Sequence, residues 1–223
     1  MTTRVTRSPP TLATARLVLR PLAHADVPAI FAIYSHPIVM RYWSRPPMTH
    51  LVQARRLVST ARAGYRTGES LSLGIELVAP HAPEETRPRR AAGMRPGDVA
   101  APALAGRGMP APAGRDVPVP APGLVGTCTL FAFHAASRRA EMGYALGHAH
   151  WGHGIMNEAL VRLVTYAFDD LGLHRLEADI DPANAASART LLRLGFVREG
   201  RLRERWIVSD TISDSEIYGL LRH

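Results

Sequence analysis

A chain of 223 residues, 46% hydrophobic and 21% charged, is long enough for one well-filled core and has the balance of an ordinary globular protein. Its formal charge is +8, and because it contains no lysine all 27 basic residues are arginines, which excludes a lysine-dependent phosphate loop and any Schiff-base mechanism. No window reaches the roughly 18 uninterrupted apolar residues of a membrane span, the opening residues lack the apolar run of an export signal, and the lone Cys128 excludes an internal disulfide, so a cytoplasmic protein with no membrane partner is expected.

The predicted elements follow in chain order. "ARLVLRPL" (15–22) reads as a strand with Leu17 and Leu19 on one face. "HADVPAIFAIYSHP" (24–37) reads as a short helix, Asp26 capping near its start and Pro37 ending it. "THLVQARRLVSTARAGYRTG" (49–68) places Leu51, Ala54, Leu57, Val58 and Ala61 at helical spacing, and "SLSLGIELVA" (70–79) is a strand. From Pro80 to Gly123 the composition breaks: 44 residues hold 10 of the 18 prolines, 10 alanines, 6 glycines and no aromatic. Such a stretch buries too little apolar surface to offset its ordering entropy, so a disordered insertion into one domain of residues 1–223 is expected. Its role, lid or tolerated surface insertion, stays open.

After the insertion, "LVGTCTLFAF" (124–133) and "AEMGYALG" (140–147) are strands joined by "HAASRR". Met156, Ala159, Leu160, Leu163, Val164, Ala167 and Leu171 then form an apolar helical stripe, with Asn157, Glu158, Arg162 and Asp169 opposite. "HRLEADIDP" (174–182) alternates Leu176, Ala178 and Ile180 with Glu177, Asp179 and Asp181, as a half-buried strand does. "NAASARTLLRLGF" (184–196) is a helix closed by Gly195, and "RLRERWIVSD" with "SEIYGLLRH" makes a terminal hairpin. The order argues for an α+β fold with helices on a mixed, largely antiparallel central sheet.

The chemistry concentrates at "HAHWGHGIM" (148–156), where Gly152 and Gly154 open the stripe helix. A helix N-terminus has unpartnered N–H groups and a positive dipole end, and glycine admits an anion to the backbone. The dinucleotide fingerprint fails, because Asn157 stands where its third glycine belongs. The stretches "AEMGYALGHAHWGHGIMNEAL" and "RLEADIDPANAASARTLLRLGFVREG" together resemble the GNAT superfamily of acetyl-CoA-dependent N-acetyltransferases, in particular its RimJ/RimL type. The resemblance covers nearly all the chain outside the first ten or so residues and the insertion. In that family Q/R-x-x-G-x-G/A cradles the CoA pyrophosphate; here Trp151, Gly152, His153, Gly154, Ile155 and Met156 fill the frame, Trp151 and Met156 being departures that the RimJ/RimL branch tolerates. Asn184, Ser187 and Leu194-Gly195-Phe196 match the branch's N-x-x-S…G-F pattern.

What the resemblance implies is a GNAT fold with acetyl-CoA as cosubstrate. It further implies Asn184 on the pantetheine arm, Ser187 near the sulfur, and oxyanion donors among the backbone N–H groups of Tyr144, Ala145 and Leu146. Asn184 and Ser187 are equally suited to cap their helix. The base that deprotonates the amine is open between Glu141, Glu204 and a water relay, since either glutamate has arginine neighbours to pair with. Tyr42 and Trp43 are placed to shape an acceptor pocket or to fill core. His148, His150 and His153 have no further ligand cluster beside them, so no metal is expected. Cys128 in an apolar strand reads as a buried hydrophobe. The expected acceptor is a primary amine, either a protein N-terminus or a small amine. Scattered arginines argue against nucleic acid, and a homodimer is compatible. The alternatives are a non-catalytic acyl-CoA-binding regulatory GNAT domain and a basic RNA-associated module on the same fold.

Overall fold

The computed structural model describes residues 9–78 and 123–222, which form one unit. Its strands are β1 (Leu12–Ala13), β2 (Leu17–Pro21), β3 (Ser70–Leu77), β4 (Gly123–His134), β5 (Arg139–Leu146), β6 (Arg175–Ile180), β7 (Val197–Val208) and β8 (Thr211–Leu221). They form one sheet in the order β1-β2-β3-β4-β5-β6-β8-β7. Every neighbouring pair is antiparallel except β5 and β6. A parallel pair needs a long crossover, which here is the stripe helix α4 (Ile155–Thr165), prolonged by a π turn at Tyr166–Asp170.

Strand alternation sorts the core onto the two faces of the sheet. Leu71, Leu73 and Ile75 of β3, Cys128 and Leu130 of β4, and Leu176 and Ala178 of β6 pack with Ala159, Leu160 and Leu163 of α4. Leu191 of α5 (Ala185–Arg193) joins the same cluster. Leu22 and Ala145 join instead Ile30 and Ile33 of α1 (Val27–Tyr34) and Ala54 and Val58 of α3 (Leu51–Thr67). Each large apolar side chain buried this way contributes about 1.5–3 kcal/mol.

Three local readings are corrected. Asp26 caps the 3-10 turn His24–Asp26 that leads into α1, and makes no cap bond to α1 itself. Its carboxylate instead accepts the Ala23 N–H at 2.7 Å and both arms of the Arg20 guanidinium at 2.8 and 2.9 Å. Pro37 does not end α1, which stops at Tyr34; it opens the single-turn α2 (Pro37–Met40), where a missing N–H costs nothing. Gly123, counted with the insertion, is the first residue of β4 and pairs with Leu77; residues 80–122 of that expected insertion lie outside the described residues. Among the described residues no helix is long and apolar enough to cross a membrane.

Candidate active site

Strands β5 and β6 run side by side only from Arg139–Arg175 to Glu141–Glu177. Beyond that point β5 stays with β4 as far as Leu146, and β6 stays with β8 as far as Ile180, so the two diverge. The Arg138 carbonyl accepts the N–H groups of His174 and Arg175 (2.6 and 3.3 Å). Backbone groups alternate sides along a strand, so those of Met142, Tyr144 and Leu146 point into the gap while those of Ala145 turn toward β4. Inside the gap the Leu146 carbonyl accepts the Trp151 indole N–H at 2.8 Å.

Two hydroxyls meet at this gap. Asn184 caps α5, its Oδ1 accepting the Ser187 N–H at 3.1 Å. That places buried Ser187 in the first helical turn with Oγ 2.6 Å from the Tyr144 Oη. Burial pushes the Tyr144 phenol up to about 12, despite its bond to Ser187, so it keeps its proton at neutral pH. Nothing local in the sequence signals this pair, because it depends on β5 and α5 coming together across 43 positions.

Glu141 lies at the fork on the opposite face of the sheet. Partial burial and the charges of Glu177 and Asp179 push its carboxyl above the usual range, outweighing Arg139 and Arg205. A cavity of about 520 Å³ joins it to the rest, lined among others by Trp43, Glu141, Tyr144, Asn184, Ser187 and Trp206. Tyr42 also lines it. Glu204 does not: it is exposed, at φ +52° in a β7 irregularity between Leu202 and Trp206, where its N–H donates to Asp214 Oδ1 at 2.8 Å.

On the α4–α5 side, the chain from Trp151 to Met156 turns into α4. Gly152 (φ +80°) and Gly154 (φ +73°) hold left-handed conformations that suit glycine, and Gly154 is the N-cap with no side chain to offer the first turn. A Cβ on Gly152 would meet nothing within 4 Å, so the glycine serves the backbone path and not a tight fit. Around this turn the buried Nδ1 atoms of His150 and His153 and the Oδ1 of Asn157 have no hydrogen-bond partner among the described residues. Burial and the neighbouring His153 hold His150 toward its neutral form. Arg16, which no motif singles out, fastens the turn to the start of β2. Its Nη1 donates to the His153 carbonyl at 3.2 Å and its Nη2 pairs with Glu158 at 2.6 Å, from 142 residues away.

Among the described residues no group of three or more His, Cys, Asp or Glu is placed to hold a metal ion. His148 stacks on His36 with ring centroids 5.2 Å apart and meets Trp151 edge-on at 5.0 Å. Cys128 is fully buried, which pushes its thiol up to about 12. The turn, with backbone N–H groups at a helix start, suits a pyrophosphate. The open strand edge suits an extended, amide-bearing arm. The residues therefore fit a CoA thioester lying along the gap.

Known proteins resemble the chain in sequence and in fold. The family model described as an acetyltransferase (GNAT) domain matches residues 16–197. An uncharacterized N-acetyltransferase of Bacillus subtilis, YoaA, is 30% identical over 213 residues, covering 96% of this chain and 97% of its own. The ribosomal-protein-serine acetyltransferase of Escherichia coli is 30% identical over 95 residues, 43% of this chain and 53% of that protein. Mycobacterium smegmatis RimJ, solved in complex with CoA-disulfide, shares the fold with a TM-score of 0.68 at 23% identity, covering 96% of this chain and 88% of that one. By a family match over most of its length and a relative aligned almost end to end, the chain belongs to the GNAT family of acetyl-CoA-dependent N-acetyltransferases.

Proposed function

We propose that the chain acetylates a primary amine, a protein N-terminal amine being the reading its relatives favour, by direct attack within a ternary complex. The observation that carries this is the fork of β5 and β6, which sets the Glu141 carboxyl and the Tyr144–Ser187 hydroxyl pair around one cavity. The Trp151–Met156 turn would hold the pyrophosphate, and Asn184 and the β5 edge the pantetheine arm. Bound acetyl-CoA supplies the acetyl thioester. Glu141, its carboxyl held above the ordinary carboxylate value, takes a proton from the incoming ammonium directly or through one water. Backbone N–H groups of Tyr144 and Leu146 face the gap and steady the carbonyl oxygen as charge builds there. The Ser187 hydroxyl, backed by the protonated Tyr144, offers a proton or a hydrogen bond to the departing sulfur. Glu204 is left outside this scheme by its position on β7. Acetyl-CoA is an intracellular metabolite, and the single cysteine suits the reducing cytoplasm.

The test is the pH dependence of CoA release with one good amine acceptor. The wild-type kcat/KM should rise through an acidic limb displaced above the ordinary carboxylate range, because burial and the neighbouring carboxylates hold the Glu141 proton. Glu141→Gln should flatten that limb and lower kcat about a hundredfold or more, while Glu204→Gln should leave it in place. A limb unchanged in Glu141→Gln would assign the proton to water or to another group. Acetyl-CoA binding without CoA release from any amine would favour the regulatory reading.

A further inference from the structure

The cavity at the fork does not stop at Gly143. A second cavity of about 630 Å³ shares Trp43, Arg45, Phe131, Gly143 and Tyr144 with it and runs between α3 and strands β3 and β4. The two differ in their carboxylates. The fork cavity holds three carboxylates, Glu141, Asp179 and Asp181, together with Arg41, the shared Arg45 and Arg205, whose Nε lies 3.9 Å from Asp179. Among the described residues the second holds no carboxylate; its charged lining is Arg45 and Arg56. Neither arginine is in an ion pair among the described residues. The Arg45 guanidinium lies over the rings of Tyr34 (4.9 Å) and Trp43 (5.3 Å). Such packing fixes its plane and leaves its N–H edge to recognise an anion. The hydroxyls of Ser70, Ser72, Thr127 and Thr129 complete a polar wall.

Building on the transfer proposed above, we infer that the acceptor is a primary amine carrying an anionic group, a carboxylate or phosphate, on the same short unit. Its ammonium enters among Glu141, Asp179 and Asp181, and its anion reaches Arg45 and Arg56. A polyamine is disfavoured, because its second ammonium would sit beside two unpaired guanidinium groups in a region partly shielded from water. A free amino acid and a peptide N-terminus followed by an acidic side chain share the required chemistry.

The experiment measures CoA release by the full chain with matched acceptors: free aspartate against aspartic diamide, in which both carboxylates are neutral amides, N-terminal peptides with Glu against Gln at the second position, and spermidine. The acidic member of a pair should have a kcat/KM at least tenfold higher, carried mainly by KM. Arg45→Gln and Arg56→Gln should each narrow that ratio to about threefold or less, while the Kd for acetyl-CoA stays within twofold. Turnover of free aspartate identifies a small-molecule acceptor, and turnover of the acidic peptide alone identifies a protein N-terminus. Equal rates within each pair, preference for spermidine, or a ratio unmoved by both substitutions would overturn the inference. CoA release from no amine, with acetyl-CoA binding intact, would instead overturn the transfer reading on which it rests.

Discussion

The Asp26 carboxylate, 7% exposed, is gripped by Arg20 and the Ala23 N–H, and Arg20 is gripped in turn by Glu76. Burial alone would raise the Asp26 pKa, but Arg20 and Ala23 outweigh it and hold the carboxyl below its ordinary value. A depressed native pKa means the unfolded chain binds the proton more readily. The contribution is therefore present above the unfolded value of about 3.9 and is lost as pH falls through the native one. Asp26→Asn should cost about 1–3 kcal/mol in urea unfolding at neutral pH, with the gap to wild type narrowing below about pH 4. A gap independent of pH would mean that shape, not charge, holds this corner. The hydroxyl pair makes a different prediction. Ser187→Ala should lower kcat about ten- to a thousandfold with CoA affinity nearly kept. Tyr144→Phe should do much the same, and the double variant little worse than either, because the two groups act as one. Loss of CoA binding in step with rate would assign Ser187 to the α5 cap alone.

At the scale of elements, α4 combines a face that packs with an end that is bare. Gly154→Val should raise the Kd for CoA at least tenfold, about 1.4 kcal/mol, as read by calorimetry. Gly68→Ala, at φ +78° beyond α3 with open space around its Cα, imposes comparable backbone strain and should leave that Kd unchanged. Most of this element was legible. The stripe of Ala159, Leu160, Leu163 and Ala167 is buried as its spacing requires, and the alternation in β6 buries Leu176 and Ala178. What spacing cannot carry is register between distant segments. The fork after Glu141 depends on where β5 stops pairing with β6, and the Tyr144–Ser187 bond depends on that fork. The β7 irregularity that leaves Glu204 outside the cavity is likewise invisible in "RER". Asp26 shows how a capping carboxylate also serves a partner that spacing does not reveal, the Arg20 fork.

For the whole molecule, the basic excess has a structural use among the described residues: Arg16, Arg20, Arg139, Arg175, Arg198 and Arg201 each pair with a carboxylate within 3 Å. A surface cross-linked in this way differs from a free basic stripe awaiting nucleic acid. Exposed pairs of this kind contribute little individually and weaken with salt. The fold instead rests on the two apolar clusters, and the ends of the β3–β4 connection lie beside each other at Leu77 and Gly123. A turn of two to five Gly/Ser/Asn residues spans such a pair in ordinary hairpins. Replacing residues 79–122 by one should therefore shift the urea midpoint little, since loop-closure entropy grows slowly with length. A drop of several kcal/mol would show that the removed residues pack on the core.

The same Leu77–Gly123 junction divides the molecule's labour. The strand pairing of β3 with β4, from Ser70–Phe131 to Leu77–Gly123, joins a first half holding Trp43, Arg45 and Arg56 to a second half holding Glu141, Tyr144 and Ser187. Neither half contains a whole reaction chamber. Expressed as separate polypeptides, 1–78 and 123–223 should each be inert, and mixing them should restore CoA release to the extent that the β3–β4 seam re-forms. This would make the acetyltransferase a reporter of its own reassembly, with catalysis as the signal that two chains have become one.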